Sequence, residues 1–524
     1  MRAYHCKIFL AAWLLLAAGA IAWAQDPNGP RTLEQLRDRI EAHLVQPRFS
    51  GAIWGVKIVS LDSGKIIFEH YADRLMSPAS NSKLYTAALA LDRLGGAYRF
   101  ATPVYAQGAI NDAGTLRGNL IVVGHGDPSW NERRLGTNFW ALFEPYAAIL
   151  ANAGVRRIEG DVLGDATFFW GRPTGSSWSV ADVNGGGMGL ISALMLDDNV
   201  AEVRVDPGGQ AGVRCSETTV QPGTGLVFIN LAVTAASNSS PHLEWFRPPD
   251  GGPVYILGEL PLGGAATNLE MSVPQPAAWF AAALKLALAR HGIPVRGQAR
   301  GLAWPDAGTG LAAADSALHE TNTPDGRAIR LGTVYSPPLR EVVRDFLKPS
   351  QNLETDSLLA HIGEMTCASN APPWQTSEEA GLAELGRFLV KVGVVPGAVQ
   401  FDEGSGLSRN NLATAEATVT LLQFMAAHRE ADAFREALPV AGVDGTLSQR
   451  FVNTPAAGNV RAKTGTLRWA QALSGYVTTA AGEHLVFSIM LNRFAAPPGH
   501  SGHEEIDPLV VMLAGFGGRS SDSP

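Results

Sequence analysis

A serine and a lysine three positions apart, Ser80 and Lys83, are the first side chains of the sequence that could carry out covalent chemistry. A serine hydroxyl is a weak nucleophile until a base takes its proton, and a lysine amine can be that base when burial lowers its pKa. The sequence predicts a helix from Pro78 to Gly95, which would place both side chains on one face. The alternative is a helix-capping serine followed by a surface lysine. The pair alone does not decide between the two interpretations.

Two further short motifs follow much later in the chain. Ser350 and Asn352 form an S-x-N motif at the start of a predicted helix, where capping is the common reason for such residues. The third motif, K-T-G followed by threonine, ends a predicted strand and consists of Lys463, Thr464, Gly465 and Thr466. The order S-x-x-K, S-x-N, K-T-G matches the motif set of penicillin-binding proteins and class A β-lactamases. Together the three motifs favour a serine acyl-transfer enzyme.

Longer runs around these motifs also carry a resemblance. Residues 438–451 read LPVAGVDGTLSQRF and lead to RAKTGTL at 461–467. Residues 402–409, DEGSGLSR, are similar to a D-G-S-G-L-S-R run in which Glu403 is altered or inserted, and 124–128, GHGDP, is similar to a G-x-G-D-P loop. These runs resemble the low-molecular-mass class C penicillin-binding proteins, which are D-alanyl-D-alanine carboxypeptidases and endopeptidases. The resemblance extends over the whole mature chain.

The resemblance implies a role for each residue of the first two motifs. Ser80 would attack the carbonyl of the penultimate D-alanine of a peptidoglycan stem peptide, and Lys83 would take its proton. Ser350 would pass a proton to the leaving amine, and Asn352 would hold Lys83 and bind the peptide amide. β-Lactam antibiotics would acylate Ser80 in the same way.

The resemblance also implies a substrate-binding strand. Lys463 and Thr464 suit the C-terminal carboxylate of the substrate, and Gly465 lets the substrate backbone approach the strand edge. The backbone N–H groups of Ser80 and Thr466 would form the oxyanion hole. No metal and no organic cofactor is expected.

The alternatives are a β-lactamase or esterase on the same scaffold, and a catalytically silent wall-binding protein. The gap from Lys83 to Ser350 is 267 residues (350 − 83), much longer than in class A β-lactamases, and no E-x-x-L-N run supplies a deacylating glutamate. No G-x-S-x-G run favours an α/β-hydrolase. His500 and His503 do not belong to an H-E-x-x-H motif, so they do not predict a metal site.

Three positions depart from the family pattern. Gln351 stands in the middle of S-x-N, where Asp or Asn is more usual, and should not touch the chemistry. Asp356 stands where the family commonly has glutamate. Residues 188–190, Met-Gly-Leu, stand where the family tends to have tyrosine, so the peptide specificity could differ there.

Composition and the N terminus limit the setting in which the protein works. A length of 524 residues with 46% hydrophobic and 17% charged residues predicts a soluble globular protein of two or three domains. The net charge of −8 and the lack of a Lys/Arg-rich run disfavour nucleic acid as a partner. Residues 1–24 read as a signal peptide ending in A-x-A, with an uncleaved anchor as the alternative. The bulk of the protein would then be periplasmic or otherwise extracytoplasmic, with peripheral or no membrane association. Cys215 and Cys367 could pair or simply be buried.

The predicted helices and strands that must position these residues indicate an α+β fold. We expect a transpeptidase-like catalytic domain, with an antiparallel sheet flanked by helices, formed discontinuously by residues 25–100 and 326–524. Residues 101–325 are expected to be an insertion of one or two small, mostly β domains. Helices are predicted at 33–45, 139–153, 277–291, 339–347, 353–362, 377–392, 414–428 and 504–513. Strands are predicted at 52–59, 65–69, 118–124, 226–233, 460–463, 472–478 and 484–492, and the tail 519–524 is expected to be disordered.

Overall fold

The computed structural model describes residues 29–522 except 137, 185–187, 249–250, 307–321, 324–325, 368–371 and 373. The predicted signal peptide therefore lies outside the described residues. Within the described part of the chain, no helix is long and apolar enough to cross a membrane.

The described residues form helices and strands over most of the chain. The helices are α1 Leu33–Leu44, α2 Ser82–Arg93, α3 Glu132–Leu135, α4 Glu144–Asn152, α5 Val180–Asn184, α6 Pro276–Arg290, α7 Leu339–Leu347, α8 Asn352–Thr366, α9 Ser377–Val392, α10 Ala415–Ala426, α11 Ala431–Ala437 and α12 His503–Ala514. The first strands are β1 Ile53–Ser60, β2 Ile66–His70, β3 Ala101–Ile110, β4 Thr115–Val123, β5 Arg157–Ile158, β6 Val162–Asp165, β7 Val200–Asp206, β8 Ser216–Thr219, β9 Phe228–Asn230, β10 Val233–Ala235 and β11 His242–Phe246. The others are β12 Val254–Pro261, β13 Thr267–Ser272, β14 Ala299–Leu302, β15 Asn322–Thr323, β16 Gly326–Tyr335, β17 Val399–Gln400, β18 Leu412–Ala413, β19 Arg461–Leu467, β20 Ala470–Thr478 and β21 His484–Asn492.

A five-stranded antiparallel sheet joins the two ends of the chain. Its order is β19-β20-β21-β1-β2, so β19, which carries the K-T-G motif, is an edge strand. Strands β1 and β21 pair over their whole length, from Ile53 opposite Asn492 to Ser60 opposite Leu485. Because an edge strand has a free row of backbone groups, β19 offers a place where an extended peptide can pair.

Helices cover both faces of this sheet. Side chains alternate between the faces along a strand, so Ile58 packs with α1 and α12 while the adjacent Val59 packs with the layer that contains α2. Helix α1 is capped by Thr32, whose hydroxyl accepts the N–H of Gln35 at 3.2 Å. Helix α2 is buried along nearly its whole length, which holds its first turn in a fixed place.

The segment between residues 101 and 335 forms further sheets. The largest has seven strands in the order β14-β6-β4-β3-β16-β15, with β5 paired to β4, and α4 and α6 contribute to its core through Tyr146 and Phe280. Two small sheets, β13-β7-β8 and β10-β12-β11 with β9, share another core. The predicted strand at 226–233 is interrupted here, where the carbonyl of Ala232 accepts the N–H of Cys215.

The predicted division into domains at residues 101 and 325 stays a prediction. Strand β16 pairs with β3, from Ala328 opposite Gln107 to Tyr335 opposite Ala101, so the seven-stranded sheet continues past the predicted boundary. The expected disorder of the tail is wrong for residues 519–522, because Ser520 is fully buried and its N–H donates to Glu483 Oε2 at 2.9 Å. Among the described residues, Cys215 is buried, Cys367 is exposed, and no disulfide joins them.

Candidate active site

Ser80 lies at the entrance of α2. It belongs to a single 3₁₀ turn, Ala79–Asn81, that leads directly into the α-helix. The first turn of the helix predicted from Pro78 is therefore a more tightly wound 3₁₀ turn and not an α-helical turn. Ala79 adopts a left-handed backbone conformation with φ of 46°. Such a conformation costs a residue with a side chain about 1 kcal/mol or more and persists only where its surroundings enforce it. The strained turn fixes the direction in which Ser80 points.

Lys83 is fully buried and directed at Ser80. Its Nζ donates to Ser80 Oγ at 3.0 Å, to Asn352 Oδ1 at 2.5 Å and to the carbonyl of Ser405 at 2.7 Å. Burial lowers the pKa of Lys83 to about 8, while the neighbouring carboxyl groups of Glu403 and Asp356 act in the opposite direction. An amine with such a pKa is neutral in part of the molecules near neutral pH, so it can accept a proton from the serine.

Ser350 meets the lysine of the third motif. Lys463 Nζ donates to Ser350 Oγ at 2.7 Å and to the carbonyl of Thr464 at 2.9 Å. Ser350 has φ of 71°, and the N-cap of α8 is Gln351, which makes no side-chain capping bond. The capping explanation for Ser350 therefore does not apply. Burial, followed by the charge of Lys83, holds the pKa of Lys463 well below its usual range.

Asn352 connects the two sides of the site. It is the first residue of α8, and its side-chain oxygen accepts from Lys83 while its Nδ2 contacts Met188 Sδ at 3.2 Å. Met188 belongs to the segment where the family pattern suggested tyrosine. The site thus includes a side chain from the 101–325 segment.

The K-T-G strand packs tightly against the turn that carries Ser80. A Cβ atom at Gly465 would lie 2.4 Å from the carbonyl of Pro78 and 2.8 Å from the side chain of Asn81, so this position accepts only glycine without movement. With its amide turned to match donors with acceptors, Asn81 donates to the carbonyl of Lys463 at 3.2 Å and accepts the N–H of Gly465 at 3.2 Å. These contacts join the two motifs.

The two threonines of the strand differ in exposure. Thr464 is largely buried and its hydroxyl donates to Thr446 Oγ1 at 2.8 Å. Thr466 is exposed, and its hydroxyl donates to Gln471 Oε1 at 3.0 Å. The structure therefore joins Ser80 and Asn352 through hydrogen bonds to Lys83, and joins Ser350 to Lys463, which shares its strand with Thr464, Gly465 and Thr466. The two groups are neighbours, since the charge of Lys83 acts on Lys463.

Sequence reasoning missed several residues of this cluster. Asn81 and Thr446 carry no motif of their own beyond the runs that contain them. In the sequence Asp356 and Glu403 stand out only as departures from the family pattern, although both lie buried next to Ser405. A buried acid beside a candidate base becomes visible only once the chain is folded.

Comparison with known proteins identifies the family. The sequence matches the D-Ala-D-Ala carboxypeptidase 3 (S13) family over residues 36–514. The chain belongs to this S13 family. The resemblance expected from the motifs, the serine-peptidase class and the D-Ala-D-Ala carboxypeptidase activity are confirmed.

Relatives in the S13 family match along nearly the whole chain. A D-alanyl-D-alanine carboxypeptidase of Actinomadura sp. (strain R39) is 33% identical over 523 residues, covering 97% of this chain and 89% of the relative. D-alanyl-D-alanine carboxypeptidase DacB of Haemophilus influenzae is 26% identical over 455 residues, covering 86% of this chain and 88% of the relative.

Solved structures agree with the fold. The crystal structure of penicillin binding protein 4 (dacB) from Haemophilus influenzae has a TM-score of 0.71 at 26% identity, covering 89% of this chain and 95% of that one. The same protein complexed with a novel beta-lactam gives a TM-score of 0.67 at 25% identity, covering 88% and 95%. The predicted α+β, penicillin-binding fold is confirmed.

A cavity separate from the Ser80 cluster lies one helical turn further along α8. It has a volume of about 410 Å³, and its lining includes Trp170, Asp356, Ala360 and Glu378. Within the described residues, no group of three or more His, Cys, Asp or Glu side chains is arranged to hold a metal ion.

Proposed function

We propose that the protein is an exported serine peptidase that cleaves D-Ala-D-Ala stem peptides and cross-links of peptidoglycan through an acyl-enzyme on Ser80. The observation that carries the proposal is the 3.0 Å contact between Ser80 Oγ and the buried amine of Lys83. The names of the relatives, D-alanyl-D-alanine carboxypeptidases, support the substrate class.

Acylation begins when Lys83 takes the proton of Ser80 as Oγ attacks the carbonyl carbon of the penultimate D-alanine. Negative charge then develops on the carbonyl oxygen, and the backbone N–H groups of Ser80 and Thr466 stabilise it. Removing one such donor from an oxyanion hole typically costs about 3 kcal/mol of barrier. The intermediate collapses as the C–N bond breaks and its electrons go to the leaving nitrogen.

The leaving nitrogen needs a proton, and Ser350 is positioned to deliver it. Its hydroxyl contacts Lys463 at 2.7 Å, and Asn352 holds Lys83 nearby. In the proposed step the Ser350 hydroxyl gives its proton to the departing amine, and the proton taken from Ser80 by Lys83 replaces it. Release of terminal D-alanine, or of the other peptide strand of a cross-link, leaves the acyl group on Ser80.

The substrate carboxylate fits beside Lys463 and Thr464. Because burial and Lys83 lower the pKa of Lys463, its positive charge depends on its surroundings, and an approaching carboxylate raises that pKa. The substrate backbone pairs with edge strand β19, while Thr446 orients the hydroxyl of Thr464. Water then hydrolyses the ester and restores Ser80.

Penicillins acylate the same serine. In a β-lactam the leaving nitrogen stays tethered to the acyl group after the ring opens, so it can obstruct the approach of water. The structure of the Haemophilus influenzae relative complexed with a beta-lactam supports this role for β-lactams. Export through the signal peptide at residues 1–24 would bring the enzyme to an extracytoplasmic peptidoglycan substrate, with peripheral or no membrane association and no nucleic-acid partner.

The proposal is tested by incubating the protein with a labelled penicillin and measuring its intact mass. A stable adduct that is lost in Ser80→Ala supports the peptidase, whereas rapid turnover without an adduct indicates a β-lactamase. No reaction from a folded protein would leave only a wall-binding role. Measuring D-alanine release against cleavage of cross-linked muropeptides separates carboxypeptidase from endopeptidase activity.

A further inference from the structure

Two buried carboxyl groups, those of Asp356 and Glu403, bind the backbone of Ser405, the residue whose carbonyl Lys83 contacts. Asp356 is 3% exposed and Glu403 is fully buried. The N–H of Ser405 donates both to Asp356 Oδ1 at 3.0 Å and to Glu403 Oε2 at 2.8 Å, and the carbonyl of Ser405 accepts from Lys83. Two acceptor oxygens around one N–H lie side by side, so the two carboxyl groups are close neighbours.

The hydrogen-bond donors around this pair are unequally distributed. Both oxygens of Glu403 accept hydrogen bonds, including those from the Gly406 N–H and Asn411 Nδ2, each at 2.8 Å. Asp356 Oδ1 accepts from the N–H groups of Gly404 and Ser405, but Asp356 Oδ2 is buried without a hydrogen-bond partner among the described residues. A charged oxygen in that position would be strongly unfavourable, and protonation of the Asp356 carboxyl group removes that charge.

We propose that Asp356 and Glu403 together carry one proton, on the carboxyl group of Asp356, and so present a single negative charge to Lys83. The inference rests on the proposed function, because it makes both acids positioning residues that act through Ser405 and the base Lys83. A single charge holds the Ser405 backbone in place and still allows the amine to become neutral. Two charges would favour the protonated amine, which cannot take the serine proton.

The direction of the pKa shift of Asp356 agrees with a protonated carboxyl group. Burial, and then the charge of Glu403, raises the pKa of Asp356 well above its usual range. Other charged groups also face this region: Glu378 of α9 interacts with Asp356, and Lys463 of β19 interacts with Lys83. Glu378 favours the protonated form of Asp356, and Lys463 favours the neutral form of Lys83.

The test compares the pH dependence of penicillin acylation in Asp356→Asn and in the double variant Asp356→Asn/Glu403→Gln. In Asp356→Asn the asparagine replaces a carboxyl group that is already neutral. The pH midpoint at which the acylation rate rises should therefore stay within about 0.3 pH unit of the midpoint of the unsubstituted protein. The double variant removes the remaining charge, so the midpoint should fall by about one pH unit or more. Glu364→Gln is a matched control, because Glu364 is a carboxyl on the same helix that contacts Ser377 and should leave the midpoint in place.

Two outcomes overturn the inference. A midpoint that already falls in Asp356→Asn means that both acids were charged, and a midpoint that stays in the double variant means that the pair presents no charge to Lys83. A merely structural role would reduce the rate without moving the midpoint. Infrared spectroscopy provides a second measurement if the double variant does not fold: the difference spectrum at pH 7 should show a protonated-carboxyl stretch that Asp356→Asn loses, and its absence would refute the shared proton.

These results are distinct from failure of the proposed function. If the unsubstituted protein forms no Ser80 adduct, the function is wrong, although the infrared band would still report the shared proton. If the adduct forms and both substitutions shift the midpoint alike, only the inference about the pair is wrong.

Discussion

Substituting Gly465 by alanine tests whether close packing of the K-T-G strand against the Ser80 turn sets the reaction rate. The added Cβ would lie 2.4 Å from the carbonyl of Pro78, a distance that real Cβ atoms do not show. Reaching an ordinary van der Waals separation requires the strand and the turn to move apart by about 1 Å. Such a displacement changes the position of Ser80 relative to the oxyanion donor on the strand.

The expected loss follows from this distance. A misplacement of about 1 Å in a catalytic group can cost on the order of 100-fold in rate, and overpacking a tight interior contact costs about 1–3 kcal/mol of stability. We therefore expect Gly465→Ala to acylate with labelled penicillin about 100-fold more slowly while it still unfolds cooperatively. Stopped-flow or quenched acylation, together with thermal unfolding, measures both effects.

Gly386→Ala is the matched control for this substitution. Gly386 lies in the middle of α9 on its exposed face, and a Cβ there would meet no atom within 4 Å. This control should gain about 1 kcal/mol of stability and acylate normally. Wild-type acylation by Gly465→Ala would refute the reasoning, because the strand and the turn would then not need this separation.

Three further predictions concern titration and a substrate contact. Acylation should rise with pH through a midpoint near 8, because Lys83 must lose its proton to act as the base; a rate constant that is flat from pH 6 to 10 would contradict this. Thr446→Val removes the hydroxyl that orients Thr464, so KM for a D-Ala-D-Ala peptide should rise about threefold to tenfold, as expected for one neutral hydrogen bond, and an unchanged KM would exclude the contact from substrate binding. Burial lowers the pKa of His361 to about 4, so between pH 6.5 and pH 4 the unfolded chain binds a proton that the folded protein excludes. The free energy of unfolding therefore falls as the pH drops through the unfolded pKa of 6.5, and it levels off below pH 4. Urea unfolding should show the unsubstituted protein losing about 2 kcal/mol more than His361→Gln between pH 7 and pH 5, and equal losses would contradict the assignment.

Much of the fold could be predicted from the sequence because its signals are local. Helix α9 has the bounds predicted from its helical pattern, Ser377–Val392, and the structure adds a capping box at Thr376. Strand β21 likewise matches its predicted bounds, 484–492. The order of three short motifs, together with longer similar runs, was enough to indicate the family, since the residues of the motifs meet only if the chain folds as that family does.

What the sequence could not predict depends on contacts between distant segments. Two features depend on neighbours that are remote in the chain. The left-handed Ala79 has Gly406 packed against its carbonyl, and Gly465 has the carbonyl of Pro78 packed against it. Ser520 looked like part of a polar tail, but Glu483 binds it in the interior. The position of strand β16 within the sheet that begins at β3 similarly arises from long-range pairing, which no local pattern reports.

The central claim is that Ser80 becomes acylated with Lys83 as its base. The most direct measurement is the intact mass of the protein after reaction with a penicillin, followed by peptide mapping of the adduct. We predict one covalent adduct on the peptide that contains Ser80, absent in Ser80→Ala and formed far more slowly in Lys83→Ala. An adduct on another residue, or equal labelling of Ser80→Ala, would contradict the claim.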